Sequence, residues 1–217
     1  MKGDVLVIDN HHRRAAALIA AALEDAIRAH TGRFVVTVAG ESGCGKSETA
    51  AALAERLRLD GCPSVILGQD DYFALPPRSN DARRRADPEW LGPHVEVRLD
   101  LLQANIDAAR AGASAIEKPV IDYDADSVST EVVSLEGVKV VVTEGTYVSL
   151  LRHVDRRIFI ARTRLETLEH RRKRNRGRET LDPFVEGVLA VEHRIIAGHR
   201  QLADFVVTSD FDVVRVD

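Results

Sequence analysis

Short apolar runs alternate along the chain with longer segments whose apolar residues recur at helical spacing. Strand-like runs cover 4–8, 34–39, 64–68, 138–143, 157–161 and 204–208, and helix-like runs cover 10–30, 46–59, 95–111, 164–173 and 183–200. Strands that alternate with helices are typical of parallel βαβ units. The runs 34–39 and 138–143 are apolar on both faces, as in a sheet covered by helices on each side. We therefore predict an α/β fold in which helices flank a parallel sheet in three layers.

The N-terminal segment 1–32 contains a strand-like run and a helix-like run ahead of the first core strand. We predict that it is an extension packed on one larger domain over 33–217. Its basic and apolar residues also resemble a short signal peptide. Against this alternative, an apolar strand-like run precedes the basic residues, and Glu24 and Asp25 directly follow the apolar stretch. We therefore expect a cytoplasmic protein.

Composition and charge argue against several classes of protein. The 217 residues carry a net charge of −4, which does not favour a nucleic-acid binder. Two cysteines do not make a disulfide framework. No stretch reaches about 18 consecutive apolar residues, so no membrane span is predicted. The sequence leaves a homo-oligomeric state open.

Residues 40–47 read GESGCGKS and fit the phosphate-loop pattern G-x-x-x-x-G-K-[ST]. A β-rich run precedes the motif and a helix-forming run follows it, so a helix N-terminus would face a bound anion. Glycines let the backbone approach a phosphate, Lys46 can reach the β- and γ-phosphates, and the Ser47 hydroxyl can bind Mg²⁺. The predicted nucleotide contacts are Gly40, Ser42, Gly43, Cys44, Gly45, Lys46, Ser47 and Glu48. The alternative is a chance glycine-rich turn, which the flanking elements disfavour.

Two acids and two aromatic residues follow the second core strand. A carboxylate beside the phosphate loop can orient or deprotonate a substrate hydroxyl, or hold a water on Mg²⁺. We predict that Asp70 has these catalytic and metal-associated roles, and that Asp71, Tyr72 and Phe73 contact the substrate. The alternative is a solvated turn whose two aromatic rings lie in the core.

A third acid, Glu144, ends the apolar run 138–143. In phosphate-loop enzymes the second sheet carboxylate commonly handles the metal or its waters. We therefore predict a magnesium site at Ser47, Glu144 and Asp70, with capping of a following helix as the alternative role of Glu144.

The segment 71–94 combines four prolines with four arginines and is predicted to be an irregular insertion. Long insertions in compact domains are usually functional loops. This one directly follows the second core strand, where ligands bind in open α/β sheets. Its arginines, with His94 and Glu96 nearby, suit a hydroxylated or anionic small molecule, and we include Glu96 among the predicted substrate contacts.

A basic run lies between 162 and 178. Mobile arginines that close over phosphates neutralise developing charge and exclude water, and the arginine fork pairs bidentately with phosphate oxygens. We predict an arginine-bearing lid in which Arg172 and Arg174 are catalytic and Arg178 contacts the nucleotide. The alternatives are a solvated helix face and an RNA-binding stretch.

Taken in chain order, six motifs resemble those of the uridine kinase and phosphoribulokinase family of P-loop kinases. They are GESGCGKS, LGQDDYF, KPVIDYD, VVVTEGTY, RRKRNRGR and ADFVV, and together they span about 34–208. The resemblance implies a parallel sheet with an arginine-bearing lid, use of ATP and Mg²⁺, and phosphorylation of a small-metabolite hydroxyl. By position it also implies that Asp70 is the catalytic acid, that Glu144 lies near Mg²⁺, and that Tyr123 and Asp87 lie on the substrate side.

The sequence also departs from this family. Uridine and cytidine kinases carry a histidine and an arginine soon after the YD motif, whereas residues 125–130 contain neither. The activity expected is thus an ATP-dependent kinase whose acceptor is a nucleoside, a sugar or a phosphosugar-like metabolite, with uridine the least favoured. A regulatory NTPase is disfavoured because D-x-x-G after a strand and N-K-x-D are both missing. A nucleotide-binding protein without catalysis is disfavoured because Lys46, Ser47, Asp70 and Glu144 occur together.

Overall fold

The computed structural model describes residues 6–163, 166 and 182–216. The strands are β1 (Phe34–Gly40), β2 (Ser64–Gly68), β3 (Ala115–Asp122), β4 (Ser127–Ser134), β5 (Val140–Gly145), β6 (Arg156–Ile160), β7 (Phe205–Val207) and β8 (Val213–Arg215). The helices are α1 (Asn10–Ala29), α2 (Lys46–Leu59), α3 (Pro77–Ala86), α4 (Leu99–Arg110) and α5 (Pro183–Ile196). Short 3₁₀ turns cover Gln69–Tyr72, Pro88–Trp90, Val148–Leu150 and His199–Leu202.

The main sheet has the strand order β2-β5-β1-β6-β7-β8. Every pair is parallel except β7 with β8, so the predicted parallel α/β fold is confirmed. Register places Glu144 of β5 between Gly68 of β2 and Val38 of β1. The carboxyl ends of these three strands therefore meet, which brings the phosphate loop, the Asp70 segment and Glu144 to one edge of the sheet.

Strand β1 is buried along its whole length because helices cover both faces of the sheet. Phe34, Val36 and Val38 pack with residues of α1 and α2 in one core. Val35 and Ala39 point the other way, into a second core that includes residues of α4. Hydrophobic burial on both faces holds this central strand rigidly, and the phosphate loop begins where it ends.

The N-terminal segment differs from the prediction in its first part. Helix α1 forms as expected and buries Ala16, Ile19 and Leu23 in the first core. The described residues of the predicted strand, 6–8, have no regular secondary structure. The strand that pairs with the outer side of β7 is β8, from the C-terminal part of the chain, and not the N-terminal segment. Within the described ranges we find no helix with the length and apolarity needed to cross a bilayer.

The arginine-rich insertion is more regular than predicted, because α3 occupies Pro77–Ala86. Proline at the first helical position is compatible with a helix start, since its missing N–H has no helical partner there. Two ion pairs at i,i+4 spacing, Arg85 with Asp81 and Arg83 with Asp87, add to the helix. The four arginines are thus set on or beside a short helix rather than in an irregular loop.

The antiparallel hairpin β3–β4 was not predicted from the sequence. Its second strand is almost entirely exposed, so it lacks the apolar alternation that identifies a half-buried strand. A buried ion pair anchors the hairpin, since Lys118 Nζ of β3 lies 2.7 Å from Asp71 Oδ2. Asp71 Oδ1 also accepts a hydrogen bond from the backbone N–H of Ile121.

Replacing Lys118 by methionine should destabilise the fold by about 3 kcal/mol, because removal of one partner leaves a buried charge without its counter-ion. Urea unfolding of the wild type and Lys118→Met measures the difference. Glu131→Gln is the matched control, since Glu131 contacts the same ammonium at 2.9 Å but is half exposed and should cost well under about 1 kcal/mol. Equal stability of Lys118→Met and the wild type would contradict the proposed anchoring role.

Candidate active site

The phosphate loop occupies the turn between β1 and α2. Gly43 and Gly45 have φ angles of 78° and 97°, in the left-handed region that favours glycine. A Cβ on Gly45 would also lie 2.9 Å from His12 Nε2, so α1 packs directly against the loop. Helix α2 begins at Lys46, as predicted, and Lys46 Nζ lies 2.9 Å from the Glu41 carbonyl oxygen. A phosphate on this loop would meet the positive end of α2 and the Lys46 ammonium.

A hydroxyl and a carboxylate meet beside the loop, as predicted for a magnesium site. Ser47 Oγ lies 3.2 Å from Glu144 Oε2. Burial and the nearby negative charge of Asp70 raise the pKa of Glu144 from its ordinary value of 4.5 to about 7. Hard oxygen ligands of this kind are those that Mg²⁺ prefers. The donor set therefore fits Mg²⁺, whose charge would offset the unfavourable burial of Glu144.

Glu144 gives a pH-dependent prediction for the metal-free protein. Because its folded-state pKa is raised, the folded protein retains a proton that the unfolded chain loses, and this stabilisation is present below about pH 4.5 and lost as the pH rises through about 7. Relative to Glu144→Gln, the wild type should lose on the order of 2–3 kcal/mol of unfolding free energy across this range. Urea unfolding with a chelator, at several pH values, measures it. Parallel pH profiles for the two proteins would contradict the prediction.

A cavity of about 430 Å³ lies next to Asp70. Its lining comes from the phosphate loop, the turn after β2, α3, the end of β3, the turn after β5, and α5. Three of the predicted site residues after the loop line it, namely Asp70, Phe73 and Tyr123. The cavity therefore joins the predicted catalytic carboxylate to a space of the size that small metabolites occupy, roughly 300–1,000 Å³.

Helix α5 closes the cavity against the phosphate loop. Ser42 Oγ donates a hydrogen bond of 2.9 Å to Glu192 Oε2, and His193 Nδ1 lies 2.7 Å from Glu41 Oε1. Burial raises the pKa of Glu192, against the lowering effect of nearby Arg84. The helix thus places an acidic group between the phosphate loop and the cavity.

Sequence reasoning missed Glu192 and Tyr147, although each carries a signal. Glu192 lies in line with the apolar residues Leu189 and Ile196 of α5, at helical spacing, so it is a charge on a buried stripe. Tyr147 follows Glu144 by three residues in the TEGTY motif and borders the cavity with only 1% of its surface exposed. Glu192 could have been identified as a charged residue on an apolar helix face. Tyr147 could have been identified as an aromatic residue close behind Glu144.

Four of the predicted substrate contacts are not among the described residues that line the cavity. Asp71 binds Lys118 and the Ile121 N–H, as described above. Tyr72 is fully buried, and its hydroxyl accepts a hydrogen bond of 2.9 Å from Asn105 Nδ2. Asp87 caps the Pro88–Trp90 turn through the Glu89 N–H.

Glu96, the fourth of these residues, is fully buried. Its carboxylate accepts hydrogen bonds from Arg84 Nε at 2.6 Å, from Asn80 Nδ2 at 3.1 Å and from the Gly92 N–H at 3.1 Å. Arg84 and Asn80 do line the cavity. Glu96 therefore positions two cavity residues from behind rather than facing a ligand itself.

The other predicted site residues are either buried or lie outside the described residues. Cys44 is fully buried in the first core, and burial raises the pKa of its thiol. Glu48 is buried in the first turn of α2. Arg172, Arg174 and Arg178 lie outside the described residues, as do most of the predicted helix 164–173 and the rest of the predicted lid.

The chain is similar in sequence or in fold to several small-molecule kinases. It is 28% identical over 83% of its length to the bifunctional alpha-galactosidase/sucrose kinase of Mediterraneibacter gnavus, but spans only 20% of that protein. It is 26% identical over 80% of its length to a uridine kinase of Bacillus cereus, of which it spans 84%. D-glycerate 3-kinase from Cryptococcus neoformans shares the fold, with a TM-score of 0.64 at 14% identity over 96% of this chain and 99% of that one.

A sequence profile of the whole family gives the broader assignment. It matches residues 35–191, which include the phosphate loop, Asp70, Glu144 and most of α5. The match covers well over half of the chain and contains the groups that meet at the carboxyl edge of the sheet. The protein therefore belongs to the phosphoribulokinase/uridine kinase family.

Proposed function

We propose that this protein transfers the γ-phosphoryl group of Mg²⁺·ATP to a hydroxyl of a small metabolite. One observation carries the proposal: Asp70 lines the 430 Å³ cavity, while its charge acts on Glu144, the partner of Ser47 in the phosphate loop. An acceptor in the cavity would therefore lie between a carboxylate and the predicted phosphate site. Phosphoryl transfer needs mainly such positioning, together with charge stabilisation.

Each residue has a distinct part in this mechanism. Lys46 neutralises charge on the β- and γ-phosphates. Ser47 and Glu144 would hold Mg²⁺, which when bound would supply positive charge to stabilise the phosphate groups. Asp70 orients the acceptor hydroxyl and accepts its proton as the oxygen attacks phosphorus. The lid arginines Arg172, Arg174 and Arg178 stay predictions for closure over the phosphates.

The relatives named above are kinases of sucrose, uridine and D-glycerate. These molecules share an alcohol group, and this supports an alcohol acceptor for the present protein without selecting one. We propose a cytoplasmic location, since this is where ATP is available. We also propose that the chain consists of an N-terminal extension over 1–32 and a kinase domain over 33–217.

Coupled measurement of ADP release tests the function. Mg²⁺·ATP is offered with nucleosides, nicotinamide riboside, pantothenate, pentoses and phosphopentoses, singly and with no acceptor. Turnover that requires an acceptor supports the kinase, whereas steady hydrolysis without one indicates a regulatory NTPase. ATP binding with no turnover across any class of alcohol would favour a nucleotide-binding protein without catalysis.

A further inference from the structure

Two of the three cations in the described part of the lining are paired with carboxylates. Arg85 contacts two acids, with Nε 2.9 Å from Asp81 Oδ2 and Nη2 2.6 Å from Asp182 Oδ2. Arg84 is largely buried and lies 2.6 Å from Glu96 Oε2. Ion pairs of this kind leave little positive charge for a ligand, because each guanidinium is neutralised by neighbouring carboxylates.

The third cation in the described part of the lining is Arg78. It is exposed, and its Nη2 donates a hydrogen bond of 2.6 Å to the Asp124 carbonyl oxygen. A solvent-exposed guanidinium interacts weakly with a ligand charge because water screens it. It therefore does not supply a buried anion site.

Two of the four acids in the described lining, Asp70 and Glu192, are less well neutralised than the cations. Asp70 makes no hydrogen bond or ion pair within the described ranges of the chain. Glu192 accepts its hydrogen bond from Ser42, and its contact with Arg84 is long, at 3.9 Å. A carboxylate or phosphate on the acceptor would bring further negative charge against Asp70 and Glu192 in a partly dehydrated space, which is unfavourable.

Tyr147 supplies a second, independent observation. It borders the cavity, is 1% exposed, and its hydroxyl has no hydrogen-bond partner among the described residues. Burial and the nearby charges of Glu192 and Glu96 raise its pKa, so it keeps its proton and can donate. A buried hydroxyl without a partner is costly, and a ligand hydroxyl would relieve that cost.

We propose that the acceptor is a neutral polyhydroxylated compound of the carbohydrate class, whose hydroxyl groups bind Glu192 and Tyr147 while another is presented to Asp70. Sugar hydroxyls both donate and accept, which matches two carboxylates and a phenol. This inference rests on the proposed kinase function and narrows it.

A nucleoside is also neutral, but its base would need side-chain amides or other donors to bind its carbonyl oxygens. The cavity amide of Asn80 is already engaged at both ends. Its Nδ2 donates to Glu96, and its Oδ1 accepts a hydrogen bond of 2.8 Å from Trp90 Nε1. The side-chain amide oxygen of Gln69, Oε1, likewise accepts a hydrogen bond of 2.7 Å from the Tyr147 N–H. These contacts favour hydroxyl recognition over base recognition.

Matched acceptors test the substrate class. D-Fructose is compared with D-fructose 6-phosphate, D-glyceraldehyde with D-glycerate, and free pentoses and disaccharides with uridine and cytidine. We expect kcat/KM for the preferred neutral sugar to exceed that of its anionic counterpart, and of either nucleoside, by at least roughly tenfold. Preference for a phosphorylated, carboxylated or nucleoside acceptor would overturn the inference while leaving the kinase intact.

Calorimetric binding separates failure of this inference from failure of the proposed function. The same compounds are titrated into the full chain with Mg²⁺ and a non-hydrolysable ATP analogue. Binding of a neutral sugar without turnover would support the substrate class and count against the kinase. Binding of no neutral sugar in the set would overturn the substrate class.

Two tyrosine variants, each of which removes one buried hydroxyl group, test whether Tyr147 binds the sugar directly. Tyr147→Phe should raise the KM of the preferred sugar roughly fivefold, the effect of one lost hydrogen bond, with little change in the KM of ATP. Tyr72→Phe removes the other buried phenol hydroxyl, whose partner Asn105 lies away from the cavity. It should leave the sugar KM unchanged. Equal effects of the two variants, with both proteins folded, would contradict direct recognition by Tyr147.

Discussion

Asp70→Asn should lower kcat by roughly 10²–10⁴-fold, the usual cost of losing a general acid–base group. Asparagine keeps the shape and can still accept a hydrogen bond, but it cannot take the acceptor proton at neutral pH. Because Asp70 lines the cavity and makes no hydrogen bond or ion pair within the described residues, its replacement should leave the fold intact. Coupled ADP release at saturating ATP and acceptor measures kcat, and urea unfolding checks stability.

The same substitution at the neighbouring residue, Asp71→Asn, is the matched control for Asp70→Asn. Asp71 is tied to Lys118 and to the Ile121 N–H and does not line the cavity. We expect Asp71→Asn to lower the free energy of unfolding while kcat stays within a few-fold of the wild type. Activity measured at increasing Mg²⁺ concentration shows whether either variant acts indirectly, by changing metal binding at Glu144. If Asp70→Asn retained wild-type kcat, another group would have to accept the proton.

Lys46→Ala should reduce kcat/KM for ATP by roughly 10³-fold, comparable with removal of a key transition-state donor. The Lys46 ammonium lies 2.9 Å from the Glu41 carbonyl oxygen, so in the free protein it is held over the loop on which we expect the phosphates to bind. Alanine is the strongest helix former and should maintain the start of α2. The loss would therefore report missing phosphate contacts rather than a disrupted loop.

Lys139→Ala is the matched control for this second prediction. Lys139 is exposed and lies immediately before β5, at the opposite end of that strand from Glu144. Its removal changes the net charge by the same amount and should leave kcat/KM for ATP unchanged. Direct titration with a fluorescent ATP analogue separates weaker binding from slower transfer. Similar losses in both variants would indicate a general effect of charge, not a specific role of Lys46.

Local signals identify the elements that carry the nucleotide chemistry. A β-rich run, a glycine-rich loop and a helix-forming run follow each other without interruption from 34 to 59. The structure contains β1, the loop and α2 at nearly the same boundaries. Each of these parts is determined by neighbouring residues, because backbone freedom at glycine, strand burial and helix propensity are short-range properties. The placement of Asp70 and Glu144 after strands of one parallel sheet also follows, since parallel strands end at the same edge.

The cavity beside Asp70 depends on contacts between residues far apart in the chain. Adjacent Asp70 and Asp71 have similar local sequence, yet one faces the cavity and the other is buried against Lys118. Glu192 reaches Ser42 across 150 positions.

The amino-acid sequence by itself thus determined the parallel α/β core, the phosphate loop and the acids beside it. Only the tertiary structure decided which acids line the cavity, because side-chain burial and ion pairing depend on which distant elements pack together. The exposed strand β4 and the helix α3 were also decided by the tertiary structure, because their own sequence patterns are weak. Pairing with β3 stabilises β4, and packing beside the cavity stabilises α3.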